Sequence, residues 1–126
     1  MKEPNWLLRA VIDTTDDLQL AEHGGSAGIR DEELLEAALV RPQQLFAHGK
    51  GDVFDFAAAY AFGIAKNHPF GDGNKRIALV AAYTFLGINE KVLVASEVEA
   101  ADATERLASG QLEEASYAQW LRENSR

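Results

Sequence analysis

Nine consecutive positions, His68-Pro69-Phe70-Gly71-Asp72-Gly73-Asn74-Lys75-Arg76, hold an imidazole, a carboxylate, an amide, two cations and two glycines. Lys75 and Arg76 supply fixed positive charge, and Asn74 is a neutral donor suited to a phosphate oxygen. Gly71 and Gly73 allow close backbone approach and positive φ, which aims N–H groups into one concavity. A helix opens at the end of this segment, and its first amides, unpaired within the helix, favour an anion. Gly71, Gly73, Asn74, Lys75 and Arg76 are therefore expected to cradle phosphate. Asp72 is out of place among anion-binding groups unless its charge is offset. A magnesium ion does this, because it is held by one or two carboxylates together with substrate phosphates. An imidazole can take up a proton near neutral pH, which makes His68 the candidate base for an incoming hydroxyl. Taken singly, these residues are what an interhelical turn uses. Their combination argues for chemistry beyond a turn.

The elements that must position this segment read as helices throughout, and the expected fold class is all-α, with one domain over residues 1–126. The first helical stretch carries apolar Trp6, Leu7, Val11, Ile12, Leu18 and Leu20, is interrupted by a polar patch at residues 14–17, and ends at His23-Gly24-Gly25. A second helix over residues 29–40, with Asp31 as cap, is expected to stop before Pro42. Residues 41–51 then read as an exposed connection. Asp52 or Asp55 caps a helix running to Asn67, and another covers residues 74–86. Both are apolar on nearly every face, so they are expected to be buried at the centre, with the His68 to Arg76 loop between them. Phe70 is the expected anchor of that loop in the core, and Pro69 ends the helix before it. After Gly87 comes a short extended piece. Ser96 and Glu99 form a capping box for a helix to Ser109, and a last helix covers residues 112–123, with Leu112, Ala115, Ala118, Trp120 and Leu121 on its buried side.

Composition narrows the class further. A formal charge of −8 and a pI near 4.8 disfavour a surface built to neutralise nucleic-acid phosphates, so no direct nucleic-acid partner is expected. The chain has no cysteine, which excludes disulfides and thiolate metal sites and fits a cytoplasmic setting. The opening residues lack the basic and then apolar order of a secretion leader. No apolar run reaches the roughly 20 residues a bilayer span needs, so no membrane association is expected.

His68, Phe70, Asp72, Gly73, Asn74 and Arg76 resemble the Fic/Doc family signature H-x-F-x-D/E-G-N-x-R. Lys75 places the loop closest to the death-on-curing, or Doc, toxins, which carry D-G/A-N-K-R. Fic adenylyltransferases usually have Gly at that position and a further Arg where this sequence has Leu79. Similarity extends to His23-Gly24-Gly25-Ser26, Gly28-Ile29-Arg30-Asp31 and Ala59-Tyr60-Ala61. The resemblance implies a compact Fic-fold helical bundle and a toxin of a toxin–antitoxin pair. It also implies transfer of the γ-phosphate of ATP, with magnesium, to a threonine of elongation factor Tu, which blocks translation. Under it, His68 is the general base, Asp72 the magnesium ligand, and Asn74, Lys75 and Arg76 the phosphate binders. Lys66 sits where Doc-like proteins carry another basic residue, and it reads equally as a solvated helix residue. Residues 41–48 would be a flap docking the target protein, with Phe46 either a contact or part of the core. AMP transfer by a Fic-type adenylyltransferase and an inactive binding module are the alternatives.

The inhibitory pattern S/T-x-x-x-E-G/N is absent, since Glu123-Asn124 is preceded by Gln119 where Ser or Thr is required. Inhibition is therefore expected from a separate antitoxin chain. Many Doc-like chains carry a His on the first helix, and the best-matching position here is Asp16. His23 and His48 are expected to be structural or solvent-exposed.

Overall fold

Six helices account for most of the chain in the computed structural model, which describes residues 2–25 and 28–126. They are α1 (Arg9–His23), α2 (Glu32–Ala47), α3 (Val53–Asn67), α4 (Asn74–Ile88), α5 (Glu97–Ser109) and α6 (Glu114–Glu123). Ser26, the last residue of the His23-to-Ser26 similarity, lies outside the described residues. Extended pairing among the described residues is limited to two isolated bridges, Ile29 with Phe70 and Leu93 with Ser125. The fold class is all-α, as expected. No helix among the described residues is long and apolar enough to cross a membrane.

Capping chemistry sets three helix starts. Asp31 accepts a hydrogen bond from Leu34 N at the head of α2. Asp52 and Asp55 satisfy each other's backbone amides in a capping box that opens α3, and Ser96 and Glu99 do the same for α5. Side-chain oxygens here replace the intrahelical partners that the first amides lack. Gly24, at φ +71, ends α1 with its N–H bonded to Leu20 O. The polar patch at residues 14–17 does not interrupt α1; Thr15 turns its hydroxyl back onto Val11 O, and Asp16 is buried.

The centre is α3, which packs against α2, α4, α5 and α6, while α1 lies on α4. Nine of the fifteen residues of α3 are buried, and its alanines and Gly63 allow neighbours to approach closely. A Cβ on Gly63 would sit 2.8 Å from Ala38 Cβ, so α2 and α3 cross almost in backbone contact. Around this core Trp6, Phe46, Phe56 and Phe85 form a ring cluster, with Tyr60 5.1 Å from Phe85. The Tyr60 hydroxyl accepts from Leu7 N and pins the N-terminal segment to α3.

Other expectations need correction here. The second helix does not stop before Pro42 but continues to Ala47, with Pro42 buried inside it. An interior proline costs about 3 kcal/mol of helix stability. Packing of Leu35, Ala38 and Pro42 offsets that cost, which no local pattern reveals. The supposed exposed connection is thus helical up to Ala47, and Arg41 is tied down by a short ion pair to Glu114 and by stacking on the Phe62 ring. Of the two readings of Phe46, the structure favours the core, since it is partly buried and packs into the aromatic cluster. In the last helix, which begins at Glu114, Ala115 is exposed and Tyr117 is fully buried instead. The Tyr117 hydroxyl pairs with Thr104 Oγ1 at 2.9 Å, and burial pushes its phenol up to about 12.

Candidate active site

The loop between α3 and α4 is built from its ends inward. His68 caps α3 in the left-handed region at φ 49 and ψ 55, an uncommon conformation for a side-chain-bearing residue. Arg30 holds it there. Its guanidinium donates from Nε to His68 O at 2.8 Å and from Nη2 to Asn67 O at 3.1 Å. The Arg30 and Asp31 amides both donate to Pro69 O, and Gly71 N donates to Gly28 O. The segment before α2 therefore straps the loop from one side. Phe70 is buried to 1% exposure and anchors it in the core, as its apolar character in a polar turn suggested.

Asn74 closes the loop internally. Its Oδ1 accepts from Phe70 N at 3.0 Å and its Nδ2 donates to Phe70 O at 3.1 Å, both buried. The side chain expected to bind phosphate thus commits its amide to the shape of the turn instead. A further correction concerns Gly71, whose φ is not positive and whose N–H is committed to Gly28. Gly73 alone of the two takes positive φ, at +76, and N-caps α4 without a side-chain capping bond. The α4 N-terminus is thereby left to an anion, with the positive end of the helix dipole facing it.

That N-terminus faces a cleft of about 560 Å³ lined by His68, Asp72, Lys75, Arg76 and Leu79, with Ala101, Thr104 and Glu105 of α5 opposite. His68, Asp72, Lys75 and Arg76 are solvent-accessible, as groups that meet a diffusing ligand must be. Lys75 Nζ reaches across to Glu105 Oε2 at 2.6 Å. Arg76 Nη1 makes a long bond of 3.5 Å to Gln19 Oε1 on α1. Gly25 approaches Asp72 so closely that a Cβ there would lie 2.7 Å from Asp72 Oδ2. Among the described residues no group of three His, Asp or Glu side chains converges as a metal cage. A divalent cation would be held by Asp72 together with phosphate oxygens, and the donor set fits that arrangement.

Lys66 does not join this constellation. Its Nζ lies 3.4 Å from Ala108 O in the last turn of α5, where a cation suits the negative end of the helix dipole. No residue from 41 to 48 lines the cleft either. His48 contacts Gln44 O and His23 lies beside Glu22, both exposed as expected. Asp16 is buried at 5% exposure, and its Oδ1 has no hydrogen-bond partner among the described residues. Burial, followed by repulsion from Asp17 and Asp13, pushes its carboxyl up. Sequence reasoning missed Arg30 as the loop's clamp, Gln19 beneath it, and the α5 wall. Arg30 had a signal in the Gly28-to-Asp31 similarity, whereas Gln19 and Glu105 had none.

A family model described as the Fic/DOC family matches residues 6–86. A protein kinase doc from Escherichia phage P1 is 36% identical over 107 residues, 84% of this chain and 84% of its own length. A toxin Doc from Mycolicibacterium smegmatis is 45% identical over 74 residues, 57% of each chain.

Proposed function

We propose, from the premise that this chain belongs to the Fic/DOC family, that it is a Doc-like toxin acting as a protein kinase. Its substrate on this reading is a threonine hydroxyl of elongation factor Tu, and a separate antitoxin chain neutralises it. The observation that carries the kinase reading is Lys75, whose side chain spans the cleft to Glu105. A glycine at that position would leave the same volume for the outer phosphates of a nucleotide. With it filled, and with apolar Leu79 on the adjoining wall, a nucleotide entering with its γ-phosphate toward the α4 N-terminus is the better fit. The name of the phage relative, a protein kinase, supports the kinase reading.

ATP bound there would supply the γ-phosphoryl group to the hydroxyl oxygen and leave as ADP, and magnesium would supply the counter-charge. The chain's own residues divide the remaining work. Lys75, Arg76 and the first amides of α4 hold phosphate charge, and Asp72 holds the cation. The His68 imidazole accepts the proton of the attacking hydroxyl, poised by the left-handed turn that Arg30 stabilises. Asn74 and Phe70 keep these groups in register.

Incubation of the protein and elongation factor Tu with γ-labelled and α-labelled ATP, in parallel, tests the reading. Transfer of the γ label, abolished by His68→Ala, is expected. Transfer of the α label instead would establish the adenylyltransferase alternative, and no transfer of either label would leave a binding module. Expression in bacteria should arrest growth for the wild type and not for His68→Ala.

A further inference from the structure

We propose that Gln19, on α1, is a positioning residue for the phosphate-binding loop, seating the Gly73 turn and orienting the Arg76 guanidinium from behind the cleft. The inference rests on the reading of that cleft as a phosphate site.

Gln19 is buried to 6% exposure, and its Nε2 has no hydrogen-bond partner among the described residues. Burying an amide donor without a partner is unfavourable, so leucine or methionine would serve better if filling space were the only requirement. The side chain's other end gives it a purpose. Oε1 accepts from Arg76 Nη1, a residue 57 positions away. The loop backbone also rests directly on Gln19: a Cβ on Gly73 would lie 2.3 Å from Gln19 Cδ and Nε2. Gly73 is thus required twice, by its positive φ and by this contact.

Arg76 borders both the phosphate cleft and an adjoining groove of about 260 Å³ between α1 and α4, and Gln19 lines only the second. The guanidinium carries five N–H donors in a rigid fork. With Nη1 turned to Gln19, the rest remain for an oxyanion in the cleft. The acceptor's neutrality matters as well. A carboxylate at position 19 would compete with phosphate for Arg76, whereas an amide oxygen restricts its rotamers and leaves its charge intact.

The test is a double-mutant cycle on the full chain, with magnesium ATP as the calorimetric probe. Gln19→Leu keeps the volume and loses the acceptor, and Gln19→Met repeats the test with a more adaptable side chain. Each should weaken ATP binding roughly five-fold with no loss of thermal stability. Gln19→Leu should add nothing in an Arg76→Ala background, because the group it positions is already gone. Wild-type affinity in Gln19→Leu and Gln19→Met, or losses that multiply in the double variant, would overturn the inference. Nitrogen-15 spectra of the ligand-free protein give a readout independent of nucleotide. The Arg76 Nε–H resonance should move in Gln19→Leu, and an unmoved signal refutes the positioning role whether or not ATP binds. Failure of the wild type to bind magnesium ATP would instead sink the phosphate-site reading, and the spectra would still decide on Gln19.

Discussion

The Asn74 side chain exchanges two hydrogen bonds with the backbone of Phe70, four residues before it, so the tip of the loop is closed by a buried amide that behaves like a strand partner. Asn74→Ala leaves the Phe70 N–H and C=O buried without that partner. A destabilisation of about 2–6 kcal/mol is expected, from about 1–3 kcal/mol for each of the two abandoned polar groups. Asn74→Asp keeps the acceptor and loses the donor, and should cost about half as much. Urea unfolding of the three proteins measures the series, and an Asn74→Ala midpoint equal to wild type would contradict this role.

Lys75 and Glu105 form an exposed pair that any phosphate in the cleft must share or displace. Removing the carboxylate charge with Glu105→Gln should tighten magnesium ATP binding. An exposed ion pair is worth about 0.2–1 kcal/mol, so the gain should be less than about five-fold. Calorimetric titration in low and high salt would show it, with the difference shrinking as salt rises.

At the opposite end of α3, Arg122 clamps Asp52 with Nη2 at 3.0 Å from both carboxylate oxygens. Burial alone would push the Asp52 carboxyl up, but hydrogen bonds from Arg122 and the Asp55 region outweigh it, so the group lies below its ordinary 3.8. A depressed folded value means the contribution is fully present above 3.8 and is lost as pH falls through the folded value. Asp52→Asn should cost about 1 kcal/mol at neutral pH, with loss of cap strength and charge. Its stability should also fall less steeply in acid, as thermal melts between neutral pH and strong acid would reveal.

Asp16 has the opposite sign. Its carboxyl is raised by burial and by Asp17 and Asp13, so the folded chain binds that proton more tightly than the unfolded chain. Stability from this group is greatest at low pH and falls as pH rises from 3.8 through the folded value. Asp16→Asn removes the buried charge and should stabilise the protein by roughly 1 kcal/mol at neutral pH. The gain should vanish in acid, where the wild-type group is already protonated. An Asp16→Asn protein less stable than wild type at neutral pH would mean that the carboxylate has a partner that matters.

What the sequence alone determined was local. Helix starts at Asp31, Asp52 and Ser96 were legible because a capping side chain bonds amides two or three residues on. The loop was legible because its base, carboxylate, cations and glycine are contiguous, and Phe70 because an apolar residue in a polar turn has few other places to go. The tertiary structure decided what each of those groups faces. It carried α2 through Pro42, drew Lys66 to the end of α5, turned Asn74 inward, and brought Gln19 and Glu105 to Arg76 and Lys75. These outcomes depend on partners 30 to 57 residues apart, apart from the proline and Asn74. Short-range periodicity carries no information about such pairs, because their contacts arise only when α1 packs against α4 and α5 packs against α3 and α4.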